Sequence, residues 1–180
     1  MGEVMKKIYS LISLLFLLLI GCESPNEPSS IPGEYFPLKI GNKWYYNSGY
    51  PDTNSINIIW EVNGTEVKGH KMYYRIIEQN MQFNFIDTIF YRFSGDTLFN
   101  RRKDNDEQII ADFSIGLNDT AYWQNDLKVV QKTEDMIKYE TPFLADYGYS
   151  ITFKKGIGIT ETINNGIIYL RKRLVKAELK

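Results

Sequence analysis

The chain is short of the residues on which most site chemistry is built: in 180 residues it has one cysteine, Cys22, and one histidine, His70. A single thiol excludes an intramolecular disulfide and a zinc site made of several thiolates. A single imidazole means that any Ser-His-Asp relay would have to run through His70, which stands between Gly69 and Lys71 in a turn-like stretch. Positive neighbours there disfavour the imidazolium, and an exposed turn residue is the reading adopted. Charge of one sign is missing too: 21 Lys+Arg face 22 Asp+Glu, so no nucleic-acid partner is expected. Beyond Cys22 no twelve-residue window carries a sustained three-four apolar spacing with a cap, which argues against helices.

Aromatic residues are plentiful instead, with 13 Tyr, 10 Phe and 3 Trp. Flat rings pack on a pleated surface and lose rotamer freedom in a helix, so this composition favours strands.

Residues 1–7 carry Lys6 and Lys7, residues 8–20 are apolar apart from Tyr9, Ser10 and Ser13, and Leu19, Ile20 and small Gly21 precede Cys22. That is the layout of a signal peptide. At about 1.5 Å per residue the apolar run is roughly 20 Å long, short of a hydrocarbon core of roughly 30 Å, so a permanent transmembrane helix is the weaker reading. The Leu19-Ile20-Gly21-Cys22 stretch resembles a bacterial lipobox. The resemblance implies cleavage between Gly21 and Cys22, a diacylglyceryl thioether on Cys22 and a further palmitate-type acyl chain on its amino group. Two or three chains, at roughly 0.8 kcal/mol per buried CH₂, hold a protein on a membrane where one does so only marginally. An ordinary secretory signal with an incidental thiol is the alternative.

The expected organisation is a signal at 1–21, a lipidated cysteine and tether at 22–34, and one β domain at 35–180. Residues 23–32 hold three prolines and three serines without periodicity, which suits a tether. The 159 residues after Gly21, with a net charge of about −2 once Glu3, Lys6 and Lys7 are removed, suffice for one core.

Alternation with period two marks strands through the domain. Ile56, Ile58, Trp60 and Val62 share one face, and Met72, Tyr74 and Ile76 lie opposite Lys71, Tyr73 and Arg75, with a turn expected in 64–69. Ile89, Tyr91 and Phe93 follow, then a turn at Ser94-Gly95-Asp96. Further strands are expected at 97–101, 108–112, 120–124, 127–132, 136–140, 147–153, 157–162 and 167–176, with Asn164-Asn165-Gly166 as a hairpin turn. The fold expected is all-β, an antiparallel meander of roughly ten strands forming a strongly curved sheet or incomplete barrel; the alternative is a closed lipocalin-like barrel.

Three stretches, residues 35–46, 112–123 and 153–159, together resemble a group of uncharacterised bacterial envelope lipoproteins that share a PLKxGNxW opening, a central DF…W segment and a late GxG hairpin. The resemblance covers about residues 35–176 and implies a secreted, lipid-anchored β domain without an associated activity. One position departs: Asn118 precedes Asp119 where a glycine commonly stands.

Other candidate motifs have plainer readings. Gly156-Ile157-Gly158 feeds a β-branched run rather than a helix, so a bulge or close crossing fits better than a phosphate cradle. Asp104, Asp106 and Glu107 lack the spacing of a calcium loop and read as a solvated turn. Arg171-Lys172-Arg173 could face anionic headgroups, but in a strand Lys172 points away from its neighbours, and edge protection is favoured. Asn63-Gly64-Thr65 and Asn118-Asp119-Thr120 match the glycosylation sequon by chance if the lipobox is bacterial. No metal, cofactor or catalytic residue is expected.

The function expected is therefore that of a non-enzymatic lipoprotein in the bacterial envelope, the outer membrane favoured over the inner. Trp44, Tyr46, Trp60, Tyr74, Tyr91 and Trp123 would line a concavity for an apolar or acyl ligand. A structural or assembly lipoprotein contacting an envelope protein partner is the alternative, and a hydrolase using a pair among the acidic residues stays open as a third.

Overall fold

The structure, a computed structural model, describes residues 34–49, 55–102, 105–120, 127–141, 148–165 and 169–180. Gly21, Cys22, the tether up to residue 33 and Trp123 lie outside the described residues. Among the described residues, no helix is long and apolar enough to cross a membrane.

Eleven strands form one sheet: β1 (Lys43–Ser48), β2 (Ile58–Lys68), β3 (Lys71–Asn80), β4 (Phe85–Ser94), β5 (Thr97–Arg102), β6 (Gln108–Asp112), β7 (Lys128–Lys132), β8 (Met136–Glu140), β9 (Gly148–Lys154), β10 (Gly158–Asn165) and β11 (Tyr169–Glu178). Their order is β6-β5-β4-β3-β2-β1-β11-β10-β9-β8-β7. Every pairing is antiparallel, and β1 joins β11, so the two ends of the domain meet in the middle of the sheet. The sheet is not closed by hydrogen bonds: β6 and β7 are its two edges. This is the strongly curved, open meander that the alternation predicts, with one strand more.

Curvature follows from five register shifts, at Tyr45/Tyr46, Val62/Gly64, Leu98/Phe99, Val129/Gln131 and Ile159/Glu161. An extra residue on one strand bends it and tightens the local twist. The sheet thereby rolls far enough for Phe36 to touch Tyr91 of β4 and Phe153 of β9 at 5.3 and 6.4 Å. One core on the concave face results, with Trp44, Tyr46, Trp60, Ile76, Leu98, Tyr139 and Ile151 all buried.

Two turns differ from expectation. Gly64 lies inside β2 beside a bulge, and the chain turns at Gly69-His70, both at positive φ (55° and 66°), the conformation of a tight hairpin. Asn164 and Asn165 continue β10 and pair with Leu170 and Tyr169, so that connection lies beyond them. Of the 120–124 strand, Thr120 forms an isolated bridge to Lys128 and the rest lies outside the described residues. The face assigned to Tyr73 as polar is also partly dry. Tyr73 and Phe90 meet edge to face at 6.5 Å on the convex side and are buried beneath Lys68 and Arg92, long side chains that cover the rings.

The gap between β6 and β7 is bridged by the segment leading from one to the other. Asn118 donates its backbone N–H to Val129 O (2.8 Å), and the Lys132 ammonium donates to the carbonyls of Phe113 and Ile115. Tyr139 Oη donates to Asp112 O at 2.7 Å. Asn118 itself has φ 69°, so asparagine supplies the left-handed conformation for which a glycine would otherwise be the default.

Candidate functional site

Among the described residues, one end of the rolled sheet is plugged and the other borders a cavity. At the plugged end the Asn42 side chain, fully buried, donates to Pro37 O (2.7 Å) and accepts the backbone N–H of Lys180 (2.8 Å), tying both ends of the domain together. Gly41, at φ 90°, has the Lys180 side chain 2.7 Å from where a Cβ would stand. Trp44 Nε1 donates to Ile157 O at 2.5 Å, and Gly158, at φ 111°, leaves no room for a Cβ against Phe36 (2.8 Å) and Trp44 (3.0 Å). Phe113 stacks on Tyr35 and meets Phe153 edge to face. Phe36, Trp44, Phe113, Phe153 and Gly158 thus build this closed end, and the GxG pair is a turn plus a close crossing.

The other end borders a cavity of about 430 Å³, within the range of about 300–1,000 Å³ usual for small-molecule sites. Its lining is mixed, with Ile58, Ile89, Ile110, Ile151 and Ile159 drawn from five strands beside polar Ser48, Asn80, Asn100, Thr162 and Asn164. Its floor is aromatic: Trp60 lies 5.4 Å from Tyr46 and 6.0 Å from Tyr91. Trp60 and Tyr91 border the cavity directly. Tyr46 and Trp44 are sealed in the core beneath and beside them, Tyr46 donating from Oη to Ile159 O at 3.0 Å, and Tyr74 is half-buried against that core. Burial pushes the Tyr46 and Tyr91 hydroxyls well above the ordinary phenol range and Tyr149 up to about 12.

Sequence reasoning missed the charged part of the site. The Lys172 ammonium enters the cavity 3.9 Å from the centre of the Trp60 ring and 5.3 Å from that of Tyr46. Arg171, one residue earlier, also borders the cavity but is held by Glu161 of β10 at 2.6 Å, so Lys172 is the cation of this cluster that lies over the rings. Glu78 of β3 approaches Lys172 over the intervening β2 and β1, with Oε2 3.6 Å from Nζ, while accepting the Trp60 indole N–H at 2.5 Å. Nearer the mouth Arg102 pairs with Asp87. Burial pulls the Lys172 ammonium down to about 8, against the upward pull of Glu78. The available signal was a lysine in the inward phase of β11, two residues before Leu174.

His70 is exposed at the β2–β3 turn, at the plugged end and remote from the cavity. Glu107 takes two hydrogen bonds from Arg92 (2.5 and 2.7 Å), one from Tyr73 (2.6 Å) and one from Lys71 (2.7 Å). Burial would raise its pKa, but these donors outweigh it and hold the carboxyl at about 2. It is a clamp across the convex face rather than a solvated turn residue. Among the described residues, no cluster of three or more metal-ligating side chains occurs.

At the cavity mouth the turn between β3 and β4 exposes Met81, Phe83, Phe85 and Ile86, Phe83 to 72%. Compared with family models, curated proteins and solved structures, the chain matches none of them.

Proposed function

We propose that this protein is a lipid-anchored lipoprotein of the bacterial envelope that holds an apolar or acyl ligand in the cavity of its curved sheet, without catalysing a reaction. The observation that supports it is the cavity of about 430 Å³, walled in part by isoleucines and floored by Trp60 and Tyr91. A packed interior fills its space to crystal-like density with few voids larger than a water, whereas here the concave face borders a cavity of about 430 Å³. A ligand of matching shape would bury apolar surface that the fold itself leaves uncovered. The lipobox-like segment supplies the anchor, and the resemblance to envelope lipoproteins agrees with it.

The test is a titration of the domain from Ile31 onward with a fluorescent fatty-acid probe. Probe fluorescence is expected to rise saturably at micromolar protein, and His70→Ala is expected to leave the curve unchanged. Fluorescence at the free-probe level with a folded β protein would remove the reading.

A second reading, an assembly lipoprotein that contacts an envelope protein, is favoured by one observation: the exposed apolar turn of Met81, Phe83, Phe85 and Ile86. Contiguous apolar surface of this kind marks interaction sites. Native mass spectrometry of material purified from cells separates the two, since co-purifying lipid supports the carrier and a co-purifying polypeptide the assembly factor.

A further inference from the structure

Lys172 is not accounted for by apolar binding alone. Its side chain is 18% exposed, and that exposure faces the cavity it lines. Among the described residues no acceptor lies within hydrogen-bond distance of its Nζ: Glu78 Oε2 is 3.6 Å away and already takes the shorter bond from Trp60. The remaining contacts are the faces of Trp60 and Tyr46, which attract a cation but accept no conventional hydrogen bond. A desolvated ammonium with three donors and a single carboxylate no nearer than 3.6 Å keeps donors unused that a further anion would complete. The fold keeps that cation at the junction of the aromatic floor and the isoleucine wall.

We propose that the cavity takes a monoanionic amphiphile, a carboxylate on a medium-length acyl chain, with its head on the Lys172 ammonium and its chain along Ile58, Ile89, Ile151 and Ile159; this rests on the acyl-binding reading above. The carboxylate oxygens accept the Nζ–H groups in charge-assisted hydrogen bonds, stronger than those a neutral ester or alcohol could offer. A single charge is specified by what else faces the site. Glu78 and Asp87 approach from β3 and β4, Arg102 from β5 is taken up by Asp87, Arg171, which also borders the cavity, is taken up by Glu161, and Tyr46, Tyr91 and Tyr149 remain neutral phenols at ordinary pH. A dianionic phosphate head would meet two carboxylates and one available cation. The volume of about 430 Å³ suits a chain of medium length.

The experiment uses the full mature chain held in amphipol and three fluorescent probes of one medium chain: the carboxylate, its methyl ester and the corresponding alkyl phosphate. The carboxylate is expected to bind at least tenfold tighter than the ester at pH 7. Lys172→Met should abolish that preference while leaving ester affinity intact, which also shows that the cavity survives, and Lys172→Arg should keep the preference. Equal affinity of carboxylate and ester in the unaltered protein would overturn the head assignment and leave the acyl reading standing; that comparison needs no variant. A preference that persists in Lys172→Met would overturn the role of Lys172, and tighter phosphate binding would overturn the single-charge assignment. If neither carboxylate nor ester binds, the acyl reading falls and takes this one with it.

Discussion

The Lys172 ammonium lies 3.9 Å from the centre of the Trp60 ring, yet the two side chains act on stability in opposite directions. Trp60 and its cross-strand neighbour Trp44 are buried in the concave core, and truncating a large core aromatic costs about 3–5 kcal/mol. Trp44→Ala and Trp60→Ala are each expected to lose that much in a urea titration, and a loss under about 1 kcal/mol would place the ring outside the core. Lys172 has a folded pKa of about 8 against 10.5 in the unfolded chain. Between those values the unfolded chain keeps a proton that the folded chain has released, so stability rises with pH through that window and the burden is fully present below about pH 8. At about 1.4 kcal/mol per pH unit the whole effect is on the order of 3 kcal/mol. The buried Tyr46, Tyr91 and Tyr149 oppose it above about pH 10, because their raised pKa values make the folded chain the one that keeps a proton. Urea midpoints measured from pH 7 to 10 are therefore expected to climb, and the climb should flatten in Lys172→Met.

Among the elements, the β9–β10 hairpin shows why two glycines stand so close together. Gly156 takes φ 73° in the turn, whereas Gly158 takes φ 111° and has Phe36 where a Cβ would project. The first glycine serves the turn; the second lets the N-terminal plug lie against the strand. Gly158→Ala imposes both backbone strain, which costs about 1–3 kcal/mol, and a displaced ring. It is expected to destabilise the domain by at least about 2 kcal/mol by urea titration, whereas Gly95→Ala, with open space around its Cβ position, should show only the strain of its positive φ. The β3–β4 turn is the contrasting element. Its apolar residues face solvent, so removing them should alter contacts with other molecules more than folding.

The whole molecule gains its concavity from rolling without closing. Eleven strands with edges at β6 and β7 leave a seam bridged by Asn118, Lys132 and Tyr139, and among the described residues the N-terminal plug fills one end of the roll while the other borders the cavity. The packing described is made by residues from Glu34 onward, and the proposed anchor precedes them. Cys22→Ser is accordingly expected to abolish incorporation of a palmitate analogue and leave an uncleaved or mislocalised precursor, with the circular dichroism of the β domain unchanged. Undiminished lipid in that variant would remove the lipoprotein reading.

Strand phases and most turns were legible in the residues themselves because a half-buried strand writes its burial into every second position: Ile58, Trp60 and Val62, or Ile89, Tyr91 and Phe93, declare their inward face without reference to anything distant. The all-β meander and the aromatic core follow from that local rule. Bulges are less legible: the turn expected somewhere in 64–69 falls at its far end, at Gly69-His70, and Gly64 marks a kink in β2. What alternation could not supply is how far the sheet rolls, since five small register shifts acting together bring β4 opposite β9. That long-range closure decided that Trp44 and Tyr46 are sealed while Trp60 and Tyr91 border a cavity. The strand order, which seats β11 beside β1, set Glu78 of β3 against Lys172 of β11 over the intervening β2 and β1, a pairing between distant segments that no local pattern encodes.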